Sequence, residues 1–550
     1  MVGFYAHGAA SLAPIVTNAA NRVNRRKTPG FLDISRIMQN PRSQNPYMPP
    51  PRRVNRTWVG GDMQFLTDWN PDLHLHRTMT LRRTKIVCTT GPATESEESL
   101  RQLIGRGMDV CRLNMSHGTH EWHARQIRMV RAISQEQNRA VAIMLDIQGP
   151  KIRTSRVQGG SVIIRAGDDL TIHSSDIIGD ECHIGVRYSL FAKEVSEGQT
   201  IMIDDGRIRM VVVETDGECV EAKVVVGGVL TDKRGVSVPD AHFSVPSVTE
   251  KDKRDLSFGI EHDVDYIAVS FVRRASDISG VKQMIHDQGA DIPVIAKIET
   301  KMGLDNFSEI LKVADGIMVA RGDLGVEIPI EDVPITQKRL IAESNASGKP
   351  VITATQMLES MIHDAIPTRA EATDVANAIL DGTDAIMLSG ETTIGDYPIE
   401  SLVMMDRIAR TTESAGWRVR MEADADATGL SIKRSIGRAV CQLARDLNAA
   451  AIITTTYSGS TATVVSMYRP ETPIIAITPD EATFRRLALI WGVTTLKIPA
   501  VGTTDEAMDA SVRSAMDAGF LKAGDRVVLT TGVPIFVAGT TNLITVRVVE

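Results

Sequence analysis

Aromatic side chains are scarce, only 4% of the 550-residue sequence, which argues against a surface that stacks the bases of single-stranded nucleic acid. The five cysteines (Cys88, Cys111, Cys182, Cys219 and Cys441) are scattered, with no CxxC pair and no Cys/His ligand spacing. They read as reduced thiols in a reducing compartment rather than as a disulfide framework or a zinc site. No apolar run approaches the roughly 20 residues that a membrane-spanning helix needs. The net charge of −7 gives no general attraction to nucleic acid or to an anionic membrane. Two phosphate-cradling motifs are missing as well: there is no GxxxxGKS/T loop, and no GxGxxG follows a strand. Any nucleotide must be held by another route, and any anion by a local cluster or a metal ion. What remains is a soluble, cytoplasmic globular chain, too long for one core.

Residues 1–79 differ from the rest. They are rich in Asn, Pro and Arg and poor in acids, as in Asn21-Arg22-Val23-Asn24-Arg25-Arg26-Lys27. Three readings stand: an organellar transit peptide, a disordered arm, or an upstream start codon, with Met79 just before the first strand. From residue 80 the pattern changes to short apolar strands alternating with helix-length amphipathic stretches. Eight runs are expected as strands: 85–89, 109–114, 141–146, 265–271, 293–298, 316–320, 350–355 and 385–388. Each is nearly continuous in apolar residues, as parallel strands buried on both faces should be. Eight such strands predict an α/β fold, a (β/α)8 TIM barrel in two parts, 80–150 and 240–425. Residues 151–239 between them have alternating strands and Gly-rich turns, which predict an inserted small β-barrel domain placed as a lid. Residues 426–550, after an acidic Ala-rich linker at 422–429, predict a C-terminal α/β domain.

The strand ends carry the chemistry. Lys297 and Glu299 flank Ile298, so alternation puts them on one side of the fifth strand. Asp323 follows the sixth. Two carboxylates on neighbouring strand ends suit one hard cation, Mg²⁺ or Mn²⁺, with the other positions left to water and substrate. Lys297 beside that cation is placed to stabilise negative charge developing on oxygen. Gly322, lacking a side chain, leaves its backbone N–H open to a carboxylate. A second cluster holds Arg112, Asn114, Ser116 and Asp146, with Arg153 further on. Arg112 and Arg153 suit phosphate oxygens, and Asn114, Ser116 and Asp146 offer hard oxygens to a further cation. A structural ion-pair network is the alternative for any one of these residues, but not readily for all of them at buried strand ends.

These residues lie in long strings that resemble the pyruvate kinase family over residues 82–550. The strings are Arg83–Thr89, Arg112–Gly118, Ala296–Glu299, Met318–Ile328, Ala354–Met361, Pro367–Glu371 and Met387–Thr392. The resemblance implies transfer of the phosphoryl group of phosphoenolpyruvate to ADP, giving pyruvate and ATP. It implies Mg²⁺ on Glu299 and Asp323, the substrate carboxylate on Gly322, Asp323 and Thr355, the phosphoryl group on Arg112, and the enolate on Lys297. Thr355 or Ser389 would orient the water that protonates carbon. Thr89, His117 and Arg153 would take the nucleotide, with Asp205 and Arg234 presented by the lid. Asn114, Ser116, Asp146 and Ile147 would form a K⁺ pocket. K⁺-requiring members have Glu and Thr where this chain has Lys151 and Ile147, so the Lys151 ammonium is expected to stand in for K⁺ near Asp146. Arg234, where the family often has Lys, keeps the charge but changes its geometry. The hydroxyl-rich loop Thr454, Thr456, Ser458, Gly459, Ser460 and Thr461 leads into a helix N-terminus. It would take a sugar phosphate or nucleotide monophosphate as effector, in a homotetramer. Two other readings are weighed: a barrel lyase or aldolase, against which the insert and Arg153 argue, and a non-catalytic sensor, against which the complete set of chemical residues argues.

Overall fold

The computed structural model describes residues 82–415, 430–535 and 541–550. The arm at 1–79 and the linker at 422–429 lie outside the described residues, as does much of the loop 532–542. Eight parallel strands close into a barrel in chain order: Lys85–Thr89, Val110–Asn114, Ala142–Ile147, Tyr266–Val269, Val294–Ile298, Gly316–Ala320, Val351–Ala354 and Ala385–Leu388. Every expected strand is present; 85–89, 316–320 and 385–388 keep their bounds and the other five differ at an end by a residue or two.

Alternation along each strand divides its side chains between two apolar layers. Ile86, Cys88, Ile143, Leu145, Val294 and Ala296 face the outer helices. Val87, Met144, Ala268, Ile295, Met318 and Met387 fill the barrel interior. Following the inward column toward the C-terminal end of each strand, the apolar residues give way to polar ones. Val87 is followed by Thr89, Val110 by Arg112, Met144 by Asp146, Ala268 by Ser270, Ile295 by Lys297, and Met387 by Ser389. The barrel is therefore packed below and polar at its mouth, where the loops of such barrels carry chemistry.

The insert between the third and fourth strands forms a six-stranded, largely antiparallel sheet and a two-stranded companion. It has its own core around Leu170, Phe191, Ile201 and Met210. The chain turns toward it at Gly149, with φ at +69° and its backbone N–H donating to Asp252 Oδ1 at 3.0 Å. A Cβ there would lie 2.9 Å from the Ser270 carbonyl oxygen, so the turn requires glycine. The insert also touches the barrel mouth, where Ser237 bonds to Glu327, and just past its end Lys301 Nζ meets Asp240 Oδ1 at 2.6 Å.

The C-terminal domain is a five-stranded sheet ordered Val493–Lys497, Ile474–Thr478, Ala451–Thr455, Arg526–Gly532 and Thr541–Val548. The last strand is antiparallel and at the edge, and most of its residues are half-buried or exposed. This domain seals the bottom of the barrel. Ala488 and Leu489 join the interior cluster, and Lys85 donates to the Val493 carbonyl at 2.7 Å. Among the described residues, no helix is long and apolar enough to cross a membrane.

Candidate active site

The polar columns meet in one buried network. Lys297 Nζ lies 2.9 Å from Glu299 Oε1, 3.2 Å from Asp146 Oδ1 and 2.7 Å from Ser270 Oγ. Arg112 donates through Nε to Asp146 Oδ2 at 2.7 Å, and through a terminal nitrogen to Thr89 Oγ1 at 2.9 Å. Asp146 is 1% exposed and Glu299 is 1% exposed. Burial favours the neutral form of Asp146, but Lys297 and Arg112 outweigh it and hold the carboxyl below its usual range. Burial also works against the charge on Lys297, and Asp146 and Glu299 more than offset that, so the amine stays protonated. Glu299 goes the other way. Burial and the charge of Asp323 push its carboxyl up further than Lys297 pulls it down. Its backbone partner is Phe271 N–H, 2.7 Å from Oε2.

Glu299 and Asp323 are oxygen donors on adjacent strand ends, and Glu299 is buried. Among the described residues no three of His, Cys, Asp and Glu come together as a ready metal cluster. The remaining positions would fall to water and substrate, which suits Mg²⁺. Asp323 is meanwhile paired with Lys151, at 3.0 Å. The Lys151 ammonium also reaches to 3.9 Å from Asp205 and 5.7 Å from the Phe271 ring centre. It thus sits at the Asp323 edge, whereas the cationic partners of Asp146 are Arg112 and Lys297.

The other expected residues divide into those at the mouth and those that support it. Asn114 Oδ1 accepts from Ser116 N–H at 3.1 Å. Ile147 packs its side chain into the outer layer, and its carbonyl accepts from Ser270 Oγ at 2.8 Å. Thr89 is buried under Arg112, with its hydroxyl donating to the Leu388 carbonyl at 2.9 Å, so it orients the arginine rather than meeting solvent. His117 is exposed. Arg153 bridges to Gly235 next to Arg234, and Arg234 pairs with Asp204 at 3.2 Å. These two and Asp205 all belong to the insert. Thr355 Oγ1 accepts from Gly322 N–H at 2.8 Å. Thr355 has φ at +71°, and Gln356 follows at +53°. Such a conformation costs a β-branched residue about 1–3 kcal/mol. Ser389 Oγ is buried without a hydrogen-bond partner among the described residues.

Ser270, Arg321, Glu371 and Glu391 were not singled out from sequence. Ser270 is the inward residue at the end of the fourth strand, and the alternation used for Lys297 would have found it. Arg321, Glu371 and Glu391 stand inside the long motifs. Glu371 caps its own helix and also accepts from Ser360 N–H at 2.7 Å. Glu391, fully buried, accepts from Ser389 N–H at 2.7 Å and Leu358 N–H at 3.0 Å. In the C-terminal domain, Thr454, Thr456 and Thr461 are buried and Ser458 is exposed. Gly459, at φ +78°, opens the helix Ser460–Met467. Thr454 and Ser460 hydroxyls lack partners among the described residues, while the Thr461 hydroxyl meets that of Thr541 at 2.6 Å.

A (β/α)8 barrel whose mouth joins a buried lysine, two carboxylates and an arginine beside an inserted β domain suits a phosphotransferase acting on a small anionic substrate. Comparison with known proteins gives the family. The family model described as pyruvate kinase, barrel domain, matches residues 81–402. The one described as pyruvate kinase, alpha/beta domain, matches 434–547. The pyruvate kinase of Geobacillus stearothermophilus is 49% identical over 473 residues, 85% of this chain and 81% of that one. Pyruvate kinase 2 of a Synechocystis strain is 47% identical over 85% of this chain and 80% of its own. The crystal structure of a pyruvate kinase from Cryptosporidium parvum superposes with a TM-score of 0.81 at 36% identity, covering 85% of this chain and 96% of that one. The chain belongs to the pyruvate kinase family. It transfers the phosphoryl group of phosphoenolpyruvate to ADP, giving pyruvate and ATP.

Proposed function

We propose that each mouth residue takes a separate part in that transfer. The observation that carries the reading is the buried Lys297, joined at 2.9 Å to Glu299 and at 3.2 Å to Asp146. Lys297 is kept charged by these carboxylates and stabilises negative charge on the enol oxygen as the phosphoryl group leaves. Arg112, oriented by Asp146 and Thr89, grips the phosphoryl oxygens. The backbone at Gly322 and Asp323, with the Thr355 hydroxyl, receives the substrate carboxylate. Glu299 and Asp323 would hold Mg²⁺, which when bound supplies positive charge against the substrate's carboxylate and enol oxygens. Ser389 or Thr355 orients the water that delivers a proton to carbon.

The insert, residues 151–239, acts as a lid over the nucleotide. Arg153, Arg234 and Asp205 act from the lid side, with His117 on the barrel. Lys151 makes the site largely independent of K⁺. Its ammonium adds a fixed positive charge at the Asp323 edge, while Asn114, Ser116 and Asp146 keep the pocket itself. Residues 426–550 serve as a regulatory domain. Two unpartnered hydroxyls, that of Thr454 near the end of a strand and that of Ser460 at the start of the helix after it, support an anionic effector of the sugar-phosphate or nucleotide-monophosphate type. A homotetramer is the assembly the family resemblance suggests, and five free cysteines suit a reducing, cytoplasmic compartment.

The deciding experiment is Lys297→Met, assayed for ADP-dependent pyruvate release and for Mn²⁺ binding by paramagnetic resonance. Transfer should fall by about 10³-fold or more while Mn²⁺ still binds. Retained transfer would remove Lys297 from this role.

A further inference from the structure

Thr355 and Gln356 sit side by side in the left-handed region, with φ at +71° and +53°. Neither is glycine, and the first is β-branched, so something outside the loop must hold them there. Arg321, at the end of the neighbouring sixth strand, supplies that hold. One of its terminal nitrogens donates to the Thr355 carbonyl at 2.6 Å and approaches the Gln356 carbonyl at 3.4 Å. Nε lies 3.4 Å from the Ala354 carbonyl. The other terminal nitrogen pairs with Asp374, 2.7 Å from Oδ2, which fixes the guanidinium from behind. Its side chain is only 10% exposed. The next residue, Gly322, donates its backbone N–H to Thr355 Oγ1.

We propose that Arg321 is a positioning residue for phosphoenolpyruvate. Its planar fork spans three consecutive carbonyls, Ala354 to Gln356, and so holds Thr355 where its hydroxyl accepts from Gly322 N–H and donates to the Ala354 carbonyl, the two donors that would turn to the substrate carboxylate. Aspartate 374 holds the fork in plane. A lysine cannot replace it, because a single ammonium on a flexible stem does not span three acceptors. The inference rests on the reading that Thr355 and Gly322 take the carboxylate.

Steady-state kinetics with phosphoenolpyruvate and ADP varied separately test it, using Arg321→Gln, Arg321→Lys, Asp374→Asn and Thr355→Val. For both Arg321 variants the KM for phosphoenolpyruvate should rise by about tenfold or more, one lost hydrogen bond or greater. The KM for ADP should stay within about twofold, since the lid groups are untouched. Added guanidinium salt should restore part of the loss in Arg321→Gln, and Asp374→Asn should show the same split at smaller size. A folded Arg321→Gln with unchanged KM for phosphoenolpyruvate, or with both KM values rising together, overturns the proposal. If Arg321→Gln does not fold, Asp374→Asn decides in the same way. Thr355→Val separates the two layers of argument. An unchanged KM for phosphoenolpyruvate there would sink the carboxylate reading itself, whereas an effect there with none at Arg321 would sink the positioning role alone.

Discussion

Replacing Glu391 by Gln should loosen two active-site loops at once while leaving the volume of the side chain almost unchanged. Glu391 is fully buried, with Ser389 N–H on one carboxylate oxygen at 2.7 Å and Leu358 N–H on the other at 3.0 Å. It thereby ties the loop after the seventh strand to the loop after the eighth. A hydrogen bond to a charged group is worth about 1.5–3 kcal/mol, and one between neutral groups about 1 kcal/mol. Glutamine keeps one such bond, now neutral, and turns an N–H₂ toward the other backbone donor. The local cost is therefore about 2–5 kcal/mol, a factor of roughly 30 to 4,000 in the opening equilibrium. Hydrogen exchange at the Ser389 and Leu358 amides should accelerate by that factor, and kcat should fall with it because the Ser389 hydroxyl loses its bearing. Alanine should accelerate both amides further. If exchange at both amides in Glu391→Gln matches the unaltered protein, the carboxylate is not what holds these loops.

The barrel was legible because parallel strands buried on both faces must be apolar almost throughout. Lys297, Glu299, Arg112 and Asp146 stood out as the charged residues that break those runs at one end. Strand alternation placed Lys297 with Glu299, and the structure joins them at 2.9 Å. Alternation could not say which carboxylate a flexible ammonium would choose. Lys151 was expected near Asp146, and its four-carbon stem carries it to Asp323 instead. Thr89 was read as a nucleotide contact, whereas its position in the inward column buries it beneath Arg112. The supporting groups were harder to see. Glu371, Glu391 and Arg321 act mainly on backbone N–H and C=O groups of other loops, and those partners leave no mark in the order of side chains. The positive φ at Thr355 was equally hidden, since a threonine gives no sign of a conformation imposed on it from the neighbouring strand.

Two further outcomes follow from charges already placed. Turnover in tetramethylammonium buffer should match that in potassium buffer, because Lys151 already supplies a cation at the Asp323 edge. A rise of about tenfold or more with K⁺ would mean that the ammonium does not replace it. Acid stability should depend on Asp109, at the opposite end of the barrel. Its carboxylate is buried, meets Arg82 at 2.8 Å and accepts Ile86 N–H at 2.8 Å. Burial favours its neutral form, but Arg82, Lys85 and Arg139 together hold it below the usual carboxylate range. A carboxyl depressed in the folded state stabilises above the unfolded pKa, about 3.9 for Asp, and that stabilisation is lost as pH falls through the lower folded value. Asp109→Asn should therefore lower the urea midpoint most at pH 7, with the gap to the unaltered protein narrowing once the pH drops below about 4. A gap that stays constant down to pH 3 would show that Asp109 contributes through shape and hydrogen bonding alone, and that its charge does not anchor Arg82 to the first barrel strand.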